Sequence, residues 1–387
     1  MCVLALEECE TIMRESGVYQ TLNNLRHFIP NHLPPANPEF SLNAEIMTLY
    51  GEASFALGQL NEMSLRLPDP KRFIRAYVMK EALLSSAIEG IHTTLIEAFT
   101  KPISGDLKLN KDTQLVVNYT KAVDAALKMI KDEGMPLVSR VILKAHEALM
   151  LGGVGEKANP GSYRKQSVRV GNLVPPPAPE VPNLISDLEK YMNEPSELPP
   201  LIRAGLVHVQ FETIHPFLDG NGRIGRLLIV LMLIDSGLLA LPVLYPSYYF
   251  KKHHLEYYQR LDQVRSNGDF EGWTSYYLKA IRDSAIDSHK RAKEIEALDD
   301  RLKKLIHDNP QLKKMAKIAD LALGQLFTQP IISVAEMSQF LDRPYNTTSK
   351  LLKLFHENGV VSENIIHKRN RVYRFDLYLE LLEKEYE

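Results

Sequence analysis

Helical periodicity dominates this chain and constrains its fold more than any other feature. Apolar residues recur every three or four positions through 42–66 and 71–100, and again over most of 111–286. The second stretch follows Pro68-Asp69-Pro70, where a capping residue and a proline mark a helix start. We therefore predict an all-α, mainly helical fold whose central portion is a helical bundle.

Two short regions interrupt the helices and predict extended backbone. β-Branched residues flank the Gly171-Asn172 pair within 167–174, which favours a small β-hairpin. The proline-rich run at 175–179 then forces an extended exit into a helix predicted over 181–193. Prolines also make the stretch 28–35 non-helical.

The C-terminal portion changes character after a charged amphipathic helix predicted at 287–307. Helical patterns at 334–341 and 345–358 precede two short β-branched stretches that flank Lys368-Arg369-Asn370. Helix, turn, helix and a basic two-stranded ribbon are typical of a winged-helix domain. The predicted domains are an N-terminal helical region at 1–105, a central core at 106–290, and connector helices with the winged helix at 291–387.

Composition limits the partners and the compartment. The 46 Lys and Arg against 48 Asp and Glu leave a net charge of −2, which gives no global attraction to nucleic acid or anionic membranes. The two cysteines, Cys2 and Cys9, exclude a disulfide-stapled scaffold. The acidic N-terminus does not fit a signal peptide. The longest apolar run, 227–234, is too short for a bilayer span of roughly 20 residues. We expect a cytoplasmic protein without membrane contact.

The segment 215–226 contains the candidate functional residues. Gly220-Asn221-Gly222 permits left-handed backbone angles that turn successive N–H groups toward one anion. The apolar helix through 227–234 follows at once, so this turn lies at a helix N-terminus, which favours phosphate. Arg223 and Arg226 are three residues apart, so both can reach the same anion.

Two more side chains in this segment suit chemistry on a nucleotide. Asp219 places a carboxylate where a Mg²⁺ ion that bridges two phosphates needs an oxygen ligand. His215, whose ordinary pKa is about 6.5, suits a base that accepts a hydroxyl proton. A lone histidine or a lone Gly-Asn-Gly is usually structural, but all four features within twelve consecutive positions favour a nucleotide site.

The segment 215–226 reads His-Pro-Phe-Leu-Asp-Gly-Asn-Gly-Arg-Ile-Gly-Arg. It resembles the signature of the Fic family, His-Pro-Phe-x-(Asp/Glu)-Gly-Asn-Gly-Arg-x-x-Arg, at every specified position. Fic enzymes are all-helical and mostly transfer AMP from ATP to a protein hydroxyl. The resemblance implies a protein adenylyltransferase that uses ATP with Mg²⁺ (or Mn²⁺) and modifies a Ser, Thr or Tyr of a target protein.

The resemblance also implies a role for each position of the signature. His215 would deprotonate the target hydroxyl, Asp219 would hold the metal on the α- and β-phosphates, and Arg226 would hold the γ-phosphate. Gly222 stands where the kinase-like Doc branch has a lysine, which favours nucleotidyl transfer. The other nucleotide-binding positions so implied are Gly220, Asn221, Arg223, Ile224 and Gly225.

Two segments outside the signature resemble further parts of the family. The Val170-Gly171 turn and Val174-Pro175, after Pro160-Gly161-x-Tyr163-Arg164, resemble the β-hairpin flap that aligns the target segment by backbone pairing. Lys251, with Tyr257-Tyr258, resembles a segment that lines the adenine pocket. Packing aromatic residues explain the second segment about as well.

Upstream, Ser85-Ser86-Ala87-Ile88-Glu89-Gly90 resembles the family's inhibitory pattern, (Ser/Thr)-x-x-x-Glu-(Gly/Asn). Serine and glutamate four residues apart on a helix are also common surface patterning. A carboxylate at Glu89 would pair with Arg226 and take the place of the γ-phosphate. A resulting misplacement of about 1 Å at the α-phosphate costs roughly 100-fold in rate. Gly90 would let this helix approach the anion site closely.

Three functions follow from these features. The first is an adenylyltransferase restrained by Glu89, and the second is a hydrolase that removes AMP from a modified protein at the same site. The third is a DNA-binding regulator whose core senses a nucleotide, because 343–375 carries seven basic and two acidic residues. Winged helices also dock proteins, and a homodimer is a further expected partner.

Overall fold

A computed structural model describes residues 14–66, 70–100, 109–152, 158–367 and 370–384, and these are mainly helical. The helices of the first half are α1 (Ala44–Arg66), α2 (Pro70–Ile88), α3 (Leu95–Phe99), α4 (Lys111–Leu127), α5 (Ser139–Met150), α6 (Val181–Asn193), α7 (Pro200–Ile214) and α8 (Asn221–Asp235). Those of the second half are α9 (Ser247–Lys252), α10 (His254–Asn267), α11 (Phe270–Asp308), α12 (Pro310–Lys313), α13 (Ala316–Thr328), α14 (Val334–Leu341), α15 (Tyr345–Glu357) and α16 (Asp376–Glu383). The strands are β1 (Gly17–Leu22), β2 (Leu25–Pro30), β3 (Ile331–Ser333), β4 (Ser362–His367) and β5 (Asn370–Arg374). The predicted mainly helical class is confirmed.

Helix α8 lies at the centre of the core. All its residues from Asn221 to Ile234 are buried, and its neighbour α7 is buried from Ala204 to Ile214. Helices that are apolar on every side lie inside a bundle rather than on its surface. The turn 215–220 therefore connects two deeply buried helices. Among the described residues, none of the helices has the length and apolarity to cross a bilayer.

The single helix predicted over 71–100 is wrong in its second half. Helix α2 ends at Ile88, and Gly90 adopts a left-handed φ of 75°. The chain then runs in irregular structure until Thr94 starts α3, with a capping box to Glu97. Because left-handed glycine stops a helix and a capping box starts one, the two signals divide the periodic stretch.

An N-terminal hairpin extends the predicted non-helical stretch at 28–35. Strands β1 and β2 pair antiparallel, with Gly17 opposite Pro30. Asn23 and Asn24 form the turn, with φ values of 52° and 62°. Two positive φ angles match a type I′ turn, so the Asn-Asn pair was an available signal for this hairpin. By contrast, the hairpin predicted at 167–174 is reduced to one bridge between Val170 and Leu173.

The C-terminal portion contains the predicted pair of helices followed by two antiparallel strands. Helices α14 and α15 precede β4 and β5, and β3 completes a three-stranded sheet in the order β3-β5-β4. We interpret this arrangement as a winged helix. The predicted wing tip at Lys368 and Arg369 lies outside the described residues.

The proposed connector is the second half of a longer helix. Helix α11 has 39 residues and runs without a break through the boundary proposed at 290/291. The other boundary, 105/106, lies outside the described residues. The three-domain division therefore stays a prediction.

Helix α16 returns from the C-terminal portion and packs against the core. Lys80 of α2 is 7% exposed, and its Nζ donates to the carbonyl of Leu382 at 2.7 Å. The fully buried Arg291 of α11 donates to the carbonyls of Leu381 and, at 2.7 Å, of Lys384. Positive charge at a helix C-terminus is favourable, so two buried cations fix the end of α16.

We predict that Gly90→Ala destabilises the protein through its backbone alone. A methyl group at Gly90 would meet nothing within 4 Å in the described part of the chain, but the left-handed φ costs a non-glycine residue about 1–2 kcal/mol. Gly51→Ala is the matched control, because Gly51 lies inside α1 with equally open surroundings and ordinary helical backbone. That change should stabilise by about 0.5–1 kcal/mol. Urea unfolding midpoints measure both, and shifts of the same sign would contradict the assignment.

Candidate active site

His215 terminates helix α7 in a left-handed conformation. Its φ is 50°, and its N–H donates to the carbonyl of Phe211 at 2.9 Å. The half-buried ring lies among Glu89, Arg164 and Arg265. Burial lowers the pKa of His215 to about 4, against an opposing effect of the Glu212 carbonyl. The imidazole is therefore neutral at pH 7 and free to accept a proton.

Side chains hold the turn 215–220 in one shape. Asn221 Oδ1 accepts from the N–H of Phe217 at 2.8 Å, and Asn221 Nδ2 donates to the Phe217 carbonyl at 2.9 Å. His146 stacks on the Phe217 ring with centroids 3.7 Å apart, and its Nε2 lies 3.0 Å from the Asp219 carbonyl. Since Gly161 N–H donates to His146 Nδ1, the Nε2 atom carries the proton. The amide of Asn221 thus shapes the turn, and the predicted phosphate contact by this side chain is not available in this conformation.

The glycines of the signature have separate reasons to lack a side chain. Gly220 has a φ of 82°, and a methyl group there would lie 3.2 Å from Leu149 Cδ2. At Gly222 a methyl group would collide with Glu89 Oε1 and lie 2.8 Å from Arg226 Nη1. The carboxylate of Glu89 therefore lies directly over the N-terminal turn of α8, where the sequence predicts an anion.

The Arg223 side chain has hydrogen-bond donors for which the described residues provide no acceptor. Its side chain is 1% exposed, and its Nη2 donates to Asp219 Oδ1 at 3.2 Å. Nε and Nη1 are buried and have no hydrogen-bond partner among the described residues. Burial lowers the pKa of Arg223, and the negative charges of Asp219 and Glu89 oppose that effect. Orphaned donors on a buried cation suit a phosphate oxygen.

Arg226 is held by the helix that carries the upstream motif. Its Nε donates to Ser85 Oγ at 2.8 Å, and its Nη2 donates to the Ser85 carbonyl at 2.9 Å and to Glu89 Oε1 at 2.8 Å. Burial alone would lower the pKa of Arg226, but Glu89 holds it above its ordinary range. For Glu89, burial raises the pKa while Arg226 lowers it further, and the net pKa is below normal. Glu89 is thus ionised, and the predicted pairing of Glu89 with Arg226 is present. The two hydrogen bonds from Arg226 to Ser85 were not predicted.

Three predicted positions have structural roles instead. Gly90 was expected to allow close approach, but its surroundings are open and its left-handed φ ends α2. Ile224 was assigned to nucleotide binding, yet it is 2% exposed within the core. Gly225, assigned likewise, faces Glu212 of α7, where a methyl group would collide with Oε1. Its carbonyl accepts a hydrogen bond from His208 Nδ1 at 2.9 Å.

The proposed adenine segment is divided in the structure. Lys251 lines a cavity of about 300 Å³ with Leu84 of α2 and Leu382 of α16, on a different face of α2 from Ser85 and Glu89. Burial raises the pKa of Tyr258 to about 12, and the negative charge of Glu89 adds to this shift. Tyr257 is connected to the signature through His208, whose Nε2 lies 2.9 Å from the Tyr257 hydroxyl and whose Nδ1 donates to the Gly225 carbonyl.

The proposed flap is attached to the N-terminal hairpin. Val170 and Leu173 exchange both backbone hydrogen bonds at 2.9 Å across the Gly171-Asn172 turn, where Gly171 has a φ of 56°. The Val174 carbonyl accepts from the N–H of Phe28 at 2.9 Å, and the Pro175 carbonyl lies 2.6 Å from His27 Nδ1. Since β2 already uses these two carbonyls, target docking at Val174 and Pro175 is restricted. The largely exposed segment 165–172 offers the free edge.

Two buried carboxyls near Arg226 did not appear in the sequence predictions. Burial raises the pKa of Glu81 to about 7 and that of Glu212 to about 7, while the charge of Arg226 opposes both shifts. Glu81 accepts from Ser247 Oγ and, at 3.2 Å, from the Ser247 N–H. Its spacing of four residues before Ser85 was the available signal.

The acidic residues do not form a complete metal cage. The described residues contain no group of three or more His, Cys, Asp or Glu side chains able to hold a metal ion. The side chain of Asp219 is 57% exposed beside the orphaned donors of Arg223. One carboxylate suits Mg²⁺ that takes its other ligands from phosphates and water.

Family comparisons match both parts of this site. Residues 136–233, which contain the signature, match the model of the Fic/DOC family, and 47–128, which contain Ser85 and Glu89, match the model of the Fic/DOC family N-terminal region. These two regions of the chain belong to the Fic/DOC family. The upstream motif around Ser85 and Glu89 and the signature thus fall within separate matched regions.

Curated relatives of this chain carry adenylyltransferase names. The protein adenylyltransferase Fic of Drosophila ananassae is 30% identical over 164 residues, which is 41% of this chain and 31% of that protein. A probable protein adenylyltransferase of Aquifex aeolicus is 38% identical over 82 residues, 21% of this chain and 26% of that protein. The chain thus spans between a quarter and a third of the length of these relatives.

A solved structure extends the likeness beyond the Fic/DOC matches. A Fic family protein from Desulfovibrio desulfuricans is 25% identical with a TM-score of 0.52, and the alignment covers 87% of this chain and 97% of that one. The C-terminal residues beyond 233 lie outside both family models.

We predict that His215 titrates far below ordinary histidine. Its folded pKa of about 4 lies under the unfolded value of about 6.5. Its contribution to stability is therefore complete above pH 6.5 and is lost as the pH falls toward 4. NMR of the imidazole signals measures this, and the resonance absent from His215→Gln identifies the ring. A midpoint at or above 6.5 would show that the ring is solvated.

Proposed function

We propose that this protein transfers AMP from ATP to a Ser, Thr or Tyr hydroxyl of a target protein. The observation that carries the proposal is the buried Nε and Nη1 atoms of Arg223, which have no hydrogen-bond partner among the described residues and lie at the N-terminus of α8. Arg226 lies three residues further along the same helix, and the neutral His215 lies in the turn that precedes it. The adenylyltransferase names of the relatives support the same reaction.

The residues divide the proposed reaction between them. The backbone turn at Gly220–Gly222 and the Arg223 donors bind phosphate oxygens, and Arg226 takes the terminal phosphate once Glu89 withdraws. His215 accepts the proton of the target hydroxyl. The hydroxyl oxygen attacks the α-phosphorus of ATP, and pyrophosphate leaves. Asp219 would hold Mg²⁺ or Mn²⁺, which would supply positive charge to neutralise the phosphates. The free edge of 165–172 aligns the target backbone.

Glu89 acts in this proposal as an intramolecular brake. Its carboxylate lies over Gly222 and occupies the Arg226 guanidinium, so a triphosphate and Glu89 compete for one cation. The Arg226 side chain is 1% exposed, but that of Glu89 is 35% exposed. Partial exposure weakens an ion pair through solvent screening, which makes the brake releasable.

Labelled ATP tests the reaction and the brake together. Glu89→Gly should raise transfer of α-phosphate label to protein on the order of 10- to 100-fold over the unsubstituted protein, because Arg226 becomes free to align the triphosphate. Label on the γ-phosphate should not transfer. Glu89→Gly/His215→Ala is the matched control and should lose the activity. An equal rate with and without Glu89 removes the brake from the proposal, and γ-label transfer indicates a kinase.

Removal of AMP at the same site is a second candidate. The ionised Glu89 lies close enough to His215 to influence the pKa of the imidazole, and we propose that it positions a water molecule there. A target modified by Glu89→Gly and then purified should release AMP on incubation with the unsubstituted protein. Glu89→Gln, which cannot accept a proton, should not release it. If the modified target keeps its AMP with the unsubstituted protein as well as with Glu89→Gln, removal of AMP at this site is excluded.

Contact with DNA through the C-terminal module receives less support from the charges. Of the five basic residues in the described part of the predicted patch, three are paired with acids. Lys353 lies 3.7 Å from Glu357, Arg371 lies 3.4 Å from Glu363, and Arg374 pairs with Asp376. Internal pairing reduces the charge available to phosphates. DNA contact and a homodimer stay predictions.

A further inference from the structure

Arg164 lies between the catalytic turn and the flap. It follows the half-buried loop 161–163 and is itself 2% exposed. The sequence patterns attach no chemistry to this residue beyond its place in the Pro-Gly-x-Tyr-Arg motif. Its contacts join parts of the molecule that are 50 residues apart in sequence.

One set of contacts follows the backbone around the base. Arg164 Nε donates to the carbonyl of His215 at 2.8 Å, and Nη2 donates to that of Ile214 at 3.3 Å. The main-chain N–H of Arg164 donates to the Pro216 carbonyl at 2.9 Å. Three consecutive carbonyls are therefore fixed by one residue. Since a non-glycine residue at positive φ persists only when its surroundings enforce it, this clamp accounts for the left-handed His215.

A second set of contacts closes the base of the flap. Arg164 Nη1 donates to the carbonyl of Gln166 at 3.2 Å, and Nη2 donates to that of Pro176 at 2.6 Å. These residues stand at the two ends of the segment that contains the Gly171-Asn172 turn. The guanidinium is planar and rigid, so the same group that sets the position of His215 also sets the spacing of the flap.

We propose that Arg164 is a positioning residue that fixes the flap relative to the imidazole of His215. This inference rests on the proposed function, because the flap matters only if an extended acceptor segment lies along it. Arg164 touches neither nucleotide nor acceptor in this arrangement. It sets the distance between the backbone edge that aligns the hydroxyl and the ring that accepts its proton, and such distances govern rate steeply.

Arg164→Lys tests the proposal in the Glu89→Gly background. A lysine retains the charge but has one nitrogen, which cannot reach all these carbonyls at once. The Michaelis constant for the acceptor protein should rise about 10-fold and kcat should fall, while the dissociation constant for ATP changes less than about 2-fold. Arg291→Lys is the matched control, since Arg291 is equally buried and donates to the carbonyls of α16. Arg291→Lys should leave the Michaelis constant for the acceptor protein and the dissociation constant for ATP unchanged.

Two readouts do not depend on any transfer activity. Hydrogen exchange at the amides of Val170 and Leu173 should accelerate at least 10-fold in Arg164→Lys. The two hydrogen bonds between these residues would no longer be supported by the contacts of Arg164 with Gln166 and Pro176. The His215 ring signal should shift, whereas the amides of α8 should keep their exchange rates. If AMP transfer is absent from every variant but both effects occur, the proposed function fails and the positioning role stands.

Other outcomes overturn the positioning role. Unchanged flap exchange and an unchanged His215 signal do so, as does a loss of ATP affinity equal to the loss in acceptor affinity. Arg164→Gln, whose amide still donates at the same depth, replaces Arg164→Lys if that variant does not fold. If neither variant folds, Arg164 serves stability alone and the proposal is wrong.

Discussion

Arg226 has a full positive charge inside the protein, and the rest of the site is arranged around the need to balance it. A buried cation that loses its partner destabilises a protein strongly. Glu81 and Glu212 lie near, but burial raises the pKa of each to about 7, so neither supplies a full negative charge at neutral pH. Glu89 is the ionised carboxylate in direct contact. An anion must therefore occupy this position, and a triphosphate is the natural competitor.

The sequence predicted which residues lie together at the site better than it predicted the elements that support them. His215, Asp219, Arg223 and Arg226 are close together because a short turn and one helical turn contain them, so local spacing sufficed. The side chain of Asn221 follows the same pattern, yet it binds the backbone of Phe217. A linear motif does not distinguish a residue that contacts a ligand from one that shapes the turn.

Misplaced elements arose where one local signal competed with another or where contacts are distant in sequence. The periodicity over 71–100 continued through Gly90, whose left-handed backbone ends α2. The hairpin expected at 167–174 is reduced to one bridge. The carbonyls of Val174 and Pro175 bond instead to β2, about 145 residues earlier in the chain. Lys251 was assigned by its neighbours in sequence, but α9 directs it to a different cavity. Contacts between residues that are distant in sequence leave no periodic pattern in the sequence.

The docking of α16 has a consequence for how the chain can be divided. Lys80 stands on α2, the helix that carries Ser85 and ends just before Glu89, and Arg291 stands on the long helix α11. Both donate to the last carbonyls of α16. Excision of the C-terminal portion would remove these carbonyl acceptors from two interior cations and expose the side of α2 that carries Lys80. Residues 376–384 are therefore part of the packing of α2 and α11 rather than a detachable appendage.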